Sequence, residues 1–133
     1  MQTVNVLCIK WGNKYGPDYV NRLHNMVRRH LHRRFRFLCL CDNRAGIDPD
    51  IDVRPIPMVG FDEFDRRQPW SFGHGWLKLT SFADPLYDLQ GPTLFLDLDI
   101  VIVDAIDCFF EHPGTFCVIK EWDKQDGTGN TSV

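Results

Sequence analysis

The sequence predicts a three-layer α/β/α domain with a mainly parallel sheet, on three observations. Short apolar runs rich in β-branched and aromatic residues recur along the chain. A stretch with helical spacing separates the first two runs, and polar sequence containing Gly or Asp closes each of them. Strands alternating with helices pair in parallel, with the helices on the faces of the sheet. At 133 residues, 44% hydrophobic and 25% charged, the chain has the size and composition of one globular domain over residues 1–133.

Val4-Asn5-Val6-Leu7-Cys8-Ile9 reads as a buried strand. Gly12 and Gly16 punctuate the loop after it, and Pro17 suits the first turn of a helix. Val20, Leu23, Val27 and Leu31 recur at spacings of three and four, which predicts a helix ending near Arg34. Phe35-Arg36-Phe37-Leu38-Cys39-Leu40-Cys41 is a second strand, stopped by Asp42-Asn43, and 45–52 reads as loop. The 51–56 stretch alternates like a strand, but Pro55 cannot donate to a ladder, so an edge or very short strand is expected. Irregular, aromatic-rich sequence follows through Gly75, then a helix over 76–83. Thr93-Leu94-Phe95-Leu96 is a strand running into Asp97-Leu98-Asp99 and a second apolar run, Ile100-Val101-Ile102-Val103. Asp104 is placed to cap a short helix through Phe110, and 115–119 reads as the last strand.

A formal charge of −3 gives no global positive field, so nucleic acid is not expected as a partner. Basic residues do gather in Arg28-Arg29-His30-Leu31-His32-Arg33-Arg34. The last turn of a helix accounts for them, because cations there complement the dipole and the unpaired carbonyls. Cys8, Cys39, Cys41, Cys108 and Cys117 are odd in number and form no Cys-x-x-Cys, as expected for reduced thiols in a cytoplasmic protein. No signal peptide opens the chain, and no apolar stretch is long enough for a transmembrane segment.

In parallel sheets, ligands bind beyond the carboxyl ends of the strands. Lys10-Trp11, Asp42, Asp97-Leu98-Asp99 and Glu121-Trp122-Asp123 all follow expected strands, so they should converge on one edge. At strand spacing, Asp97 and Asp99 face the same way while Leu98 points into the body. Two adjacent carboxylates repel unless a cation lies between them. Mg²⁺ or Mn²⁺ suits such a pair, being hard and oxygen-seeking, and leaves positions open for phosphate. Strand-end acids can instead satisfy loop amides. Trp11 and Tyr15 are placed either to stack on a nucleobase or to finish the core. Gly73-His74-Gly75 reads as a turn that can also bring amides to a phosphate.

Leu94-Phe95-Leu96-Asp97-Leu98-Asp99-Ile100-Val101-Ile102 resembles the DxD signature of GT-A-fold glycosyltransferases, particularly the glycogenin and bacterial lipopolysaccharide galactosyltransferase group. Trp76-Leu77-Lys78-Leu79 is similar to that group's basic-residue helix ahead of the DxD strand. Asn130-Thr131-Ser132-Val133 is similar to its later Asn-Ser/Ala-Gly/Ser-Val motif. The resemblance implies a nucleotide-sugar donor, with a UDP-sugar expected, a Mn²⁺ or Mg²⁺ cofactor, and a glycan, lipid or protein acceptor. It implies that Asp97 touches the ribose and shares the metal, and that Asp99 ligates the metal directly. Lys78 would contact the donor phosphate or sugar, or hold the two carboxylates; as a bare sequence feature it also reads as a solvated helix charge. Asn130 would approach the donor sugar. Lys10, Trp11 and Tyr15 would line the nucleotide pocket, and Asp42 would reach the base or ribose. Chains of the family continue into an acceptor-binding half with a further metal-binding histidine, so this chain is expected to be the donor-binding part of a longer protein or a shortened relative.

Two other readings compete. The first motif of haloacid-dehalogenase-type phosphatases is also an apolar strand ending in Asp-x-Asp, which would make Asp97 the nucleophile and Asp99 the acid/base. That motif ends the first strand of its domain, whereas three strand-like segments come before it here. The other is a module that binds a nucleotide-sugar without turning it over.

Overall fold

The computed structural model describes residues 2–57 and 77–133, so the expectations for 58–76, including Gly73-His74-Gly75 and Trp76, lie outside the described residues. Four strands, β1 (Val4–Lys10), β2 (Phe35–Cys41), β3 (Asp52–Arg54) and β4 (Thr93–Phe95), form one sheet in the order β3-β2-β1-β4. Every pairing in it is parallel. The expected α/β class with a parallel sheet is therefore present. β3 is the short edge strand that Pro55 predicts.

β1 and β2 run side by side from Val4 opposite Phe35 to Lys10 opposite Cys41. Alternate residues of β1 feed two cores. Val4, Val6 and Cys8 join Phe37, Cys39 and Cys41 under the helix α1 (Pro17–His30), which contributes Val20, Leu23 and Val27. Leu7 faces the other side with Leu38 and Leu40, where Leu86 covers it with help from Ile56, Ala83 and Leu89. Burying each such aliphatic side chain stabilises the fold by roughly 1.5–3 kcal/mol. Asn5 also lies on this second face and is buried, but its amide is satisfied: Nδ2 donates to the Gln90 carbonyl at 2.9 Å and the Thr93 hydroxyl at 3.3 Å. These bonds fix the start of β4 against β1.

α1 begins with Pro17 in its first turn and ends with Arg28, Arg29 and His30, as the dipole favours. It stops at His30, not near Arg34, and Leu31 is already extended (φ −111°, ψ 115°). Long-range partners account for the earlier end. Ile106 N–H donates to the His30 carbonyl at 2.9 Å, and the Asp107 carboxylate accepts the His32 amide at 3.2 Å. The His32 ring meets the same carboxylate at 2.9 Å. Groups left open at the helix end thus bind a distant segment rather than a further helical turn.

Three other expectations are corrected. The helix expected over 76–83 is a 3₁₀ helix over Leu77–Phe82 in its described part. Thr80 Oγ1 donates to the Leu77 carbonyl at 2.6 Å and Ser81 Oγ to the Lys78 carbonyl at 2.5 Å, i→i−3 bonds that favour the tighter winding. Asp104 does not cap the next helical turn. Its carboxylate accepts the adjacent Ala105 amide at 2.7 Å, and the 3₁₀ turn begins later, at Asp107–Phe110. The strand expected over 115–119 shrinks to β5 (Ile119–Lys120), which pairs antiparallel with β6 (Gly129–Asn130). Phe116, 69% exposed, meets Phe82 with ring centroids 5.9 Å apart instead of entering the sheet. The apolar run after Asp99 lies outside the sheet. Val101 and Val103 face solvent while Ile102 and Ile106 anchor the segment in the core.

All five thiols are free, as their sequence setting predicts. The hydrogen bond with Cys39, reinforced by burial, pushes the Cys8 thiol well above its ordinary pKa and keeps it protonated. Among the described residues no helix is long and apolar enough to cross a membrane.

Candidate functional site

The strand order places a topological switch beside β1. The chain passes from β1 through β2 to β3 on one side and returns to place β4 on the other, so the strand order reverses at β1. A cleft of about 500 Å³ opens there. Its β1 side is Ile9, Trp11 and the turn Gly12–Tyr15, and its β4 side is Phe95, Asp97, Leu98 and Asp99. Leu77 and Lys78 of the 3₁₀ helix close it. This volume falls in the range of small-ligand sites, ~300–1,000 Å³.

Asp97 and Asp99 both reach this cleft, but through a turn rather than the expected strand spacing: β4 ends at Phe95, and buried Leu98 borders the cleft between them. Each carboxylate has its own partner. The Lys78 ammonium lies 2.8 Å from Asp97 Oδ1 and 3.0 Å from Oδ2. It also donates to the Thr131 carbonyl at 3.0 Å and the Thr131 hydroxyl at 3.4 Å. The Asp97 amide donates to the Ser132 carbonyl at 2.8 Å. Lys78 is thus a half-buried crosslink between the 3₁₀ helix, the end of β4 and the segment after β6, not a solvated charge. Asp99 accepts a hydrogen bond from the Tyr15 hydroxyl at 3.0 Å. That bond, with the negative charge beside it, raises the Tyr15 pKa and keeps the phenol a donor.

Trp11 and Tyr15 both line the cleft, and Tyr15 also packs on the core and against Tyr19, with centroids 4.8 Å apart. Tyr15 thus finishes the core, as one of the two expected roles has it, and also borders the cleft. Lys14 lines the same wall, its ammonium 5.3 Å from the Tyr15 ring centroid. Two ammonium groups accordingly share the cleft with two carboxylates.

Lys10, Asp42 and Asn130 stand differently from the sequence expectation. Lys10 is buried at the end of β1, outside the cleft lining, and its carbonyl accepts the Asp42 amide at 3.4 Å. Asp42 does not line the cleft either. Its Oδ2 accepts the Gly12 amide at 2.9 Å, and Gly12 has φ +63°, a left-handed conformation that favours glycine. Asp42 is therefore a positioning residue that fixes the turn carrying Trp11 and Tyr15. Asn130 has both ends of its amide committed. Nδ2 donates to Glu121 Oε2 at 3.0 Å, and Oδ1 accepts the Ser132 amide at 2.9 Å. It shapes the segment that holds Asp97 and Lys78 without entering the cleft, and Glu121 is its partner rather than a free acid.

Sequence reasoning missed Thr131 and Ser132. They fall within the Asn130–Val133 motif, which gives them no role of their own; both act through main-chain carbonyls, which every residue type carries, and Thr131 adds its hydroxyl.

A concavity of about 570 Å³ lies at the opposite end of the sheet, lined by residues such as His24, Arg28, Phe35 and Asp52. It is slightly larger, but Arg36 there is tied to Asp52 and Asp88 at 3.3 and 3.2 Å, and burial followed by the Arg28 charge lowers the His24 pKa. Strand beginnings are not where parallel sheets bind ligands. The cleft at the DxD end is the better candidate.

The chemistry of that cleft suits a hard divalent cation. Among the described residues no group of three or more His, Cys, Asp or Glu is gathered for a metal ion, so a closed zinc-type cage is not formed. Two carboxylates opening on one cleft are oxygen donors of the kind that Mg²⁺ or Mn²⁺ takes, since these ions keep several waters and need few protein ligands. No family model, curated protein or solved structure matches the chain.

Proposed function

We propose that the chain is the donor-binding part of a metal-dependent glycosyltransferase of the GT-A type, which moves a sugar from a nucleotide diphosphate, a UDP-sugar, to a glycan, lipid or protein hydroxyl. One observation carries the reading: Asp97 and Asp99 open on one cleft at the switch between β1 and β4, with a lysine bound to the first and an aromatic wall opposite. Parallel-sheet enzymes bind nucleotides at that place. The three-layer architecture is part of the proposal, supported by the parallel sheet and by apolar cover on both its faces. Five free thiols, with Cys108 and Cys117 exposed, support a reducing, cytoplasmic setting.

In this reading Asp97 and Asp99 would hold the cation, which would supply Lewis acidity toward a diphosphate leaving group. The protein's own groups do the rest. Trp11 and Tyr15 offer flat apolar faces to the base and ribose, the Tyr15 hydroxyl orients Asp99, and Asp42 holds the turn that carries both rings. Lys78 and Lys14 bring positive charge to the phosphates without needing a proton to move.

Calorimetry of UDP with MnCl₂, with chelator, and with Asp99→Asn tests the proposal. Binding should require the metal and fall at least ~30-fold in the variant, about 2 kcal/mol. UDP binding indifferent to chelator and to Asp99→Asn would remove the basis of the assignment. Metal-dependent trapping of a beryllofluoride on Asp97, with no UDP binding, would favour a phosphatase instead.

A further inference from the structure

We infer that Lys78 makes binding of the divalent cation conditional on the diphosphate, by occupying Asp97 as a tethered cation until phosphate draws it away. This rests on the donor-site reading above and adds a regulation of that site. Both oxygens of Asp97 are taken by one ammonium, at 2.8 and 3.0 Å. The Thr131 carbonyl at 3.0 Å and hydroxyl at 3.4 Å supply its other acceptors. An ammonium has three protons, and these partners account for them. Asp99 meanwhile has the Tyr15 hydroxyl at 3.0 Å. Repulsion between the two carboxylates is thus already relieved without any metal.

A bare divalent ion approaching this pair meets a positive charge on the carboxylate it needs. Like charges sharing one anion repel, so its affinity is lowered. A diphosphate brings several anionic acceptor oxygens into the same cleft, so the ammonium can leave Asp97 without being stranded. Lys78 carries that ammonium on a flexible four-carbon stem, so the exchange needs no change of backbone. Cation and diphosphate then raise each other's affinity, and part of that coupling runs through Lys78.

The test is Mn²⁺ binding, read from the electron paramagnetic resonance signal of free MnCl₂, with and without UDP. Wild-type, Lys78→Met, Lys78→Gln and Asp99→Asn proteins are compared at matched circular dichroism. Without UDP, both neutral variants should bind Mn²⁺ about tenfold more tightly than wild type, and UDP should enhance their affinity by a smaller factor. Lys78→Gln keeps a donor for Thr131, so it separates the lost charge from a lost tether. Mn²⁺ binding unchanged or weaker in both neutral variants overturns the inference, while Asp99-dependent, UDP-enhanced binding in wild type would leave the donor site standing. No Asp99-dependent Mn²⁺ binding in wild type, with or without UDP, defeats the donor-site reading itself.

Discussion

Leu23→Ala is expected to lower the unfolding free energy by about 2–5 kcal/mol. Leu23 sits in the middle of α1, has no exposed surface, and belongs to the core that α1 shares with Val6, Cys8, Phe37 and Leu96. Its truncation removes apolar burial and leaves a cavity, because neighbours on rigid strands relax only partly. A domain's whole stability is roughly 5–15 kcal/mol, so the loss is a large share of it. The effect should appear as a lower urea midpoint with an unchanged slope. Val101→Ala is the matched control. Its side chain is 76% exposed, so the change should stay within about 0.5 kcal/mol. A large effect at Val101 would mean that this run is buried, as its sequence alone suggests.

The second large effect is expected at Asp97→Asn. In the proposed site this change removes a metal ligand and the counter-charge of Lys78 together. UDP affinity in the presence of MnCl₂ should fall at least ~100-fold, about 2.8 kcal/mol. Stability should fall by about 1–2 kcal/mol, less than the ~3–5 kcal/mol of a fully buried pair, because solvent reaches both partners. The two losses have different causes and can be separated. In a Lys78→Gln background the stability cost should largely vanish, since no ammonium remains to be stranded, while the loss of UDP affinity should persist. A Lys78→Gln background that also abolished the affinity difference would assign Asp97 a purely structural role.

How far the sequence speaks depends on what each element is held by. β1 and β2 are legible because strands buried on both faces need nearly continuous apolar runs, and Val4 to Cys8, broken only by Asn5, and Phe37 to Cys41 supply them. Pro55 marks β3 as an edge by chemistry that no context overrides. The 115–119 segment has equally strand-like residues but no place in the parallel sheet, and Phe116 finds its contact on Phe82. Hydrophobic pattern says that a segment wants burial, not where the burial lies. α1 stops early for a related reason: Asp107 and Ile106, more than seventy residues away, satisfy its end.

The candidate site divides along the same line. Asp97, Asp99, Lys78, Trp11 and Tyr15 are legible as residues gathered on one cleft, since each follows or precedes a strand whose end opens there. Asp42 and Asn130 are polar residues at the right strand ends, but their partners are a glycine amide, a serine amide and Glu121. Which hydrogen bonds a loop makes depends on its conformation, and residue type leaves that open. The segment after β6 matters through the Thr131 and Ser132 carbonyls, a role that the motif containing them does not specify.

Anomalous diffraction at the manganese edge, from crystals grown with UDP and MnCl₂, interrogates the two-carboxylate cation site directly. A single manganese peak should bridge Asp97 and Asp99 to both phosphates, with the uracil against the wall of Trp11 and Tyr15. Nucleotide bound elsewhere, or no peak in the cleft with Lys78 still closed on Asp97, would contradict it.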